Sequence, residues 1–72
     1  MAPKIKTLDV VALAQDLPEH GLVRGQVGTV VEQHRHDVFE VEFADNDGRT
    51  YAMAAVRAEQ LIVLFFHPVA AA

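Results

Sequence analysis

The sequence contains no cysteine, no serine and no tryptophan. The lack of cysteine excludes disulfides, thiolate zinc sites and a cysteine nucleophile, and the lack of serine excludes a serine nucleophile. No apolar run approaches the roughly 18 residues of a membrane-spanning helix. The start of the chain also lacks the long apolar core of a signal peptide. We therefore expect a cytoplasmic protein that is not an enzyme, does not enter a membrane and uses no cofactor.

Basic residues are also few. Six Lys and Arg residues stand against ten Asp and Glu residues, which gives a net charge of -4. This balance argues against general nucleic-acid binding, which normally depends on a basic surface. The 72 residues have room for one domain. A core of this size usually needs a covalent cross-link or a binding partner to be stable. Since disulfides are excluded, we expect association with a protein partner or with a second copy.

Alternation of apolar and polar residues is clearest in residues 38–44. There Phe39, Val41 and Phe43 fall at every second position, which predicts a strand with these three residues in the core. The Asp-Asn-Asp-Gly segment at 45–48 predicts a tight hairpin turn. Further strands are predicted over residues 26–34, 49–54 and 61–66, with a short turn at 35–37 and a single helical turn at 56–60.

Residues 8–17 are ambiguous, because their apolar spacing fits either a buried strand or one amphipathic helix. The β-branched pair Val10 and Val11 favours a strand over residues 8–14. Pro18 and Gly21 would also soon interrupt a helix. If residues 8–17 were helical, the architecture would instead be a helix packed on a three- or four-stranded sheet.

Two glycines indicate how the sheet curves. Gly25 is expected to form a tight turn, and Gly28 a bulge or bend inside the next strand. Such a bend lets a small sheet curl into a barrel. Five short strands, a long first loop at 15–25 and a helical turn before the last strand predict an all-β, five-stranded SH3-like barrel. The single domain is divided into a lead-in at 1–7, a barrel at 8–64 and an apolar tail at 65–72.

Several segments resemble a family of short bacterial proteins of unknown function. They are residues 8–13, 16–22 and 24–31, the last with the pattern Arg-Gly-x-x-Gly-Thr-Val-Val, together with residues 41–43, 48–51 and 59–61. The members of this family are similar in size to antitoxins and other accessory proteins, and this resemblance implies a role in association. The family has no catalytic residues that could be assigned to positions of this sequence. More distantly, residues 24–31 are similar to the glycine-containing turn of KOW-type ribosomal and transcription-factor barrels.

Three groups of residues could in principle carry chemistry. His34 and His36 would share one face of a continuing strand, so a surface metal site with His20 and Asp37 is conceivable. The 45–48 segment resembles the opening of a calcium loop but lacks its later glutamate. Glu40 and Glu42 also share a strand face, where we expect them to face solvent. For all three groups we favour solvated or turn residues, and we assign no metal or catalytic residue.

The C-terminal run at 61–66 consists of six large apolar residues, whereas alternation in a half-exposed sheet would bury only three. Either the tail folds back over its own barrel, or part of it contacts a partner. We expect Leu64, Phe65 and Phe66 to form an apolar contact strip. The long first loop supplies a secondary recognition surface through its residues Glu19, His20 and Arg24. The alternative function is a nucleic-acid-binding KOW-like barrel that uses Arg24, Arg35, Arg49 and Arg57.

Overall fold

A computed structural model describes residues 4–69. Its five strands are β1 (Val10–Leu13), β2 (Val27–Arg35), β3 (Val38–Ala44), β4 (Thr50–Arg57) and β5 (Leu61–Val63). They form one antiparallel sheet in the order β4-β3-β2-β1-β5. Within the described residues the only helical elements are two 3₁₀ turns, Pro18–His20 and Ala58–Gln60. The all-β prediction and the helical turn before the last strand are therefore confirmed.

The ambiguous segment is a strand rather than a helix. β1 lies between β2 and β5, and Val11, Ala12 and Leu13 are all buried. A strand covered on both faces reads as a continuous apolar run, which explains why its sequence does not alternate. The strand begins later than predicted, because Leu8 has a left-handed backbone with φ of 77°. The backbone N–H of Leu8 donates to the carbonyl of Val30 at 2.7 Å.

The core forms where the alternation predicted it. Phe39, Val41 and Phe43 are 3%, 0% and 0% exposed, and they face the buried side of β3. The other buried members of this cluster come from all the remaining strands and the first loop: Val11, Leu13, Leu17, Leu22, Val30, Ala54, Val56 and Leu61. One contiguous cluster therefore holds the sheet together. The predicted hairpin turn also forms, since the N–H of Gly48 donates to the carbonyl of Asp45.

Two strands end three residues away from the predicted position, at 57 instead of 54 and at 63 instead of 66. Val56 was expected in the helical turn, but it pairs with Phe39 and is fully buried in β4. The pairing with β3 keeps Ala54 and Val56 on the core face, so burial extends the strand to Arg57 and shortens the turn. The last strand ends earlier than predicted, at Val63 instead of residue 66. Residues 70–72 of the predicted tail lie outside the described part of the chain.

The two glycines have different roles. Gly25 has a φ of 94°, as expected for a tight turn. Gly28 is not at a bulge, because it pairs in regular register with Phe43. The irregularities of β2 lie further on, between Val30 and Glu32 and between Gln33 and Arg35. The prediction of a bulge at Gly28 is therefore wrong, whereas its other half, a bend inside the strand, stays a prediction. No described helix has the length and apolar character needed to cross a membrane.

Candidate protein-binding site

β5 is an edge strand that pairs with β1 on one side only. The N–H of Leu64 donates to the carbonyl of Val10 at 2.9 Å, and the N–H of Ala14 donates to the carbonyl of Gln60 at 2.8 Å. Antiparallel strands alternate the direction of their backbone groups. Because Gln60 and Leu64 face β1, the backbone groups of Val63, the last residue of β5, point away from it. Among residues 4–69 no strand pairs with this side of β5.

A groove of about 570 Å³ opens near this free edge. Its apolar lining comes from distant parts of the chain: Ile5, Phe39, Ala58, Leu61, Ile62, Val63 and Phe65. The N–H of Ala58 donates to the carbonyl of Asp37 at 2.8 Å, which fixes the second 3₁₀ turn against the β2–β3 turn. Asp37 and His36 line the groove from that turn, and Lys4 lines it from the N-terminal segment. The groove has the size and apolar character of a binding pocket.

The predicted contact strip lies beside this edge. Leu64 is half-buried, whereas Phe65 and Phe66 are 50% and 78% exposed. Phe65 lines the groove and also a second, smaller one of about 420 Å³ that includes Leu64 and Phe66. The Phe65 ring meets the His67 ring edge-on at a centroid distance of 6.4 Å. The strip therefore presents two accessible aromatic rings next to a strand edge that no other strand of residues 4–69 pairs with.

The secondary surface predicted from the first loop lies elsewhere. Glu19 and His20 are exposed in the first 3₁₀ turn, and the exposed Arg24 donates its backbone N–H to Asp16 Oδ1 at 2.8 Å. β1 runs from the strip, at Val10, to this loop, which follows Leu13. The structure therefore puts the two predicted surfaces at opposite ends of β1 and does not bring them together.

The four arginines on which the alternative function, nucleic-acid binding, would depend do not lie together in the structure. Arg35 and Arg57 lie at one end of the sheet, since both pair with Val38. Arg49 lies at the other end, in the β3–β4 turn, and Arg24 lies in the β1–β2 loop. The Nε of Arg57 is 3.6 Å from Glu59 Oε1. These positions do not form one basic patch.

The two histidines that were considered as metal ligands, His34 and His36, have different surroundings. His34 Nε2 is 2.6 Å from Glu40 Oε1, and its Nδ1 is 4.0 Å from Glu32 Oε2. His36 follows the end of β2 and lines the groove. Among the described residues, no group of three His, Asp or Glu side chains is placed to hold a metal ion. The carboxylates of Glu40 and Glu42 also have different partners. Glu40 contacts His34, whereas Glu42 Oε2 accepts a hydrogen bond from Thr50 Oγ1 at 2.8 Å.

Sequence reasoning missed most of the groove. Ile5 was assigned to a polar lead-in, yet it is half-buried and packs against the core. Ala58 and Asp37 gave no signal as groove residues, because only the folded chain brings the two turns together. The one feature of the sequence that could have indicated burial of Ile5 is that it is a large apolar residue between two lysines.

Comparison with known families matches residues 7–63 to the domain of unknown function DUF4926. The match includes every strand and ends at Val63, so the strip at Leu64, Phe65 and Phe66 lies just beyond it. Comparisons with curated proteins and with solved structures give no significant match. Since the matched region covers most of the sequence and the whole sheet, the chain belongs to the DUF4926 family.

Proposed function

We propose that this domain is a small, non-enzymatic protein-binding module that acts through the free edge of β5 and the strip of Leu64, Phe65 and Phe66. The observation that carries the proposal is the juxtaposition of outward-facing backbone at Val63 with the apolar groove, which Val63 and Phe65 both line. An extended segment can add to a sheet edge through main-chain hydrogen bonds, while neighbouring pockets receive its side chains. The groove and the edge together supply both parts of this binding mode.

The exposed aromatic rings support the same function. Natural proteins usually protect the edges of their sheets with charges, prolines or covering segments. β5 instead carries exposed Ile62 and is followed by exposed Phe65 and Phe66. Aromatic side chains are frequent anchors in protein interfaces, because they bury a large area with few rotatable bonds. An accessory or antitoxin-like role in the cytoplasm and an SH3-like barrel architecture are part of the proposal; the strand order and the 3₁₀ turn before β5 support the barrel.

Nucleic-acid binding is less well supported. A nucleic-acid interface needs several cations on one side to neutralise phosphates. The four arginines lie in two groups at opposite ends of the sheet, in a chain with a net charge of -4. We therefore retain protein binding as the proposed function.

The proposal is tested with the double variant Phe65→Ala/Phe66→Ala. The wild-type domain and the variant are compared by light-scattering mass and by quantitative capture of proteins from the native host. We expect the variant to lose self-association or to lose the captured partner, because both exposed rings are removed. Met53→Ala is the matched control, since Met53 is 49% exposed on the other edge strand, β4. Unchanged mass together with unchanged capture would contradict the proposal.

A further inference from the structure

We infer that the β3–β4 turn, residues 45–48, is a site of spontaneous covalent modification at Asn46 and Asp47, and that Asp45 suppresses this modification in the folded protein. The reaction is cyclisation of each side chain onto the backbone nitrogen that follows it, and its only co-reactant is water. The inference is independent of the proposed binding site, because β3 and β4 lie at the opposite side of the sheet from β5.

The sequence of the turn supplies the reacting groups. Asn46 is the only asparagine in the chain, and Asp47 is the only aspartate that is followed by a glycine. Each side chain carries a carbonyl carbon that the next backbone nitrogen attacks to close a five-membered ring. Gly48 has no side chain to obstruct this approach. All four residues of the turn are exposed, so water has access to the ring.

At Asn46 the reaction is a deamidation. The backbone nitrogen of Asp47 forms a bond to Cγ of Asn46, and the bond from Cγ to the side-chain nitrogen breaks. That nitrogen leaves as ammonia and takes the hydrogen of the attacking N–H with it. Water then opens the cyclic imide at either of its two carbonyls. The product has a carboxyl group in place of the Asn46 amide, on a main chain that runs either normally or through the side chain.

At Asp47 the reaction is an isomerisation. The backbone nitrogen of Gly48 attacks Cγ of the protonated carboxyl group, which loses water instead of ammonia, and water adds back when the ring opens. The mass of the chain is unchanged, but part of the product has one more backbone carbon between Asp47 and Gly48. Turn length determines the register of a hairpin, so this product alters the pairing of β3 with β4.

Asp45 accepts hydrogen bonds from both attacking nitrogens. The N–H of Asp47 donates to Asp45 Oδ1 at 2.9 Å, and the N–H of Gly48 donates to the Asp45 carbonyl at 3.0 Å. Asp45 is itself fixed, because its N–H donates to the carbonyl of Arg49 and its Oδ1 accepts the N–H of Arg49. Cyclisation consumes the hydrogen of the attacking N–H, so each ring closes only after a local opening of the turn.

Deamidation of Asn46 provides the test, because it changes the mass of the chain. Wild type, Asp45→Ala and Asp45→Asn are incubated at neutral pH, and tandem mass spectrometry measures the rate at position 46. We expect Asp45→Ala to deamidate about tenfold faster than wild type, because the Asp47 N–H loses its acceptor. Asp45→Asn keeps an oxygen acceptor for this N–H, so its rate is expected to stay within about threefold of wild type.

Unfolding separates the effect of the fold from the effect of the neighbouring side chain. In concentrated guanidinium chloride no hydrogen bond of the turn persists. Wild type is expected to deamidate at least about tenfold faster there than in the folded state. Wild type and Asp45→Ala are expected to have equal rates under these conditions, since residue 45 takes no part in the chemical step.

Asp16→Ala is the matched control. Asp16 Oδ1 accepts the backbone N–H of Arg24 at 2.8 Å, so this variant removes the same kind of hydrogen bond from the first loop. It is expected to leave the rate at Asn46 unchanged. Amide hydrogen exchange on Asp45→Ala is expected to quicken at Asp47, whereas the amides of β2 and β3 keep their protection.

The outcomes that overturn the inference are distinct. If folded wild type deamidates as fast as the chain in guanidinium chloride, the fold gives Asn46 no protection. If folded Asp45→Ala keeps the wild-type rate, Asp45 is not the suppressing residue. If exchange in Asp45→Ala quickens throughout the hairpin, Asp45→Asn decides instead. A rate in Asp45→Asn as high as that of Asp45→Ala then overturns the role of the hydrogen bond, and a rate near wild type supports it.

Discussion

Gly28 on β2 lies directly against Val41 on β3. An added Cβ at Gly28 would lie 2.6 Å from Val41 Cγ1 and 2.8 Å from the carbonyl oxygen of Glu42. Contacts this short force the backbone or the buried valine to move. The glycine is therefore required for the close approach of the two strands and not for a left-handed turn. Its buried position next to Val41 and Phe43 places this contact in the centre of the core.

We expect Gly28→Ala to lower the free energy of unfolding by about 3 kcal/mol, because a methyl group is forced into a filled core. Chemical denaturation monitored by circular dichroism measures the change. Gly48→Ala is the control, since Gly48 has a φ of 81° but nothing within 4 Å of an added Cβ. Its cost is limited to backbone strain of about 1 kcal/mol. Equal costs for the two variants would contradict the assigned role of Gly28.

Leu8 combines backbone strain with exposure. Its φ is 77° and its side chain is 74% exposed. A left-handed backbone costs a non-glycine residue about 1–2 kcal/mol. We expect Leu8→Gly to raise the free energy of unfolding by about 0.5 kcal/mol, because relief of strain exceeds the added entropy of the unfolded chain. The measurement is the midpoint of urea denaturation.

The neighbouring residue provides a control for Leu8. Thr7 is exposed and has no positive φ, so Thr7→Gly is expected to lower the free energy of unfolding. Leu8 also lines the second, smaller groove. A loss of stability in Leu8→Gly would mean that the contacts of the Leu8 side chain there outweigh its backbone strain. Retention of a strained apolar residue would then point to a role in that groove.

Glu32 and Glu40 are direct cross-strand neighbours on β2 and β3. Like charges at opposed positions of a sheet are unfavourable, and His34 lies between them with Nε2 bound to Glu40. We expect Glu32→Lys to raise the free energy of unfolding by about 0.5 kcal/mol, since it creates an opposite-charge pair at an exposed site. Thermal denaturation at low and high salt provides the readout.

The gain from Glu32→Lys should shrink at high salt, because screening weakens interactions between exposed charges. Glu19→Lys makes the same change of charge in the first 3₁₀ turn, where the side chain is exposed. This control separates the local pair from the general effect of a less negative chain. A gain of the same size in both variants would show that net charge alone is responsible.

Much of the fold could be predicted, because local patterns coincide with tertiary burial. The alternation in β3 identified Phe39, Val41 and Phe43, and the turn residues at 45–48 identified the hairpin. The position at which β4 ends could not be predicted from local sequence patterns. Val56 lies next to a short helical turn in sequence, and only its pairing with Phe39 shows that it belongs to the strand.

The candidate site was predicted only in part. The apolar composition of residues 61–66 drew attention to Phe65 and Phe66, both of which are exposed. The groove depends on residues far apart in sequence, such as Ile5 and Ala58, and on the hydrogen bond between Ala58 and Asp37. Such contacts leave no periodic signal. The free edge could not be predicted either, since it follows from the order of the strands.

The strand order also determines when this protein can finish folding. β1 is made first, but one of its two neighbours is β5, which is made last. Pairing of Val11 with Val63 joins residues that are 52 positions apart, and contacts of such long range form slowly. A nascent chain that has not yet reached Leu61 therefore exposes the open side of β1, with its apolar residues, to other proteins. Synthesis of the last strand is the step that ends this vulnerability to aggregation.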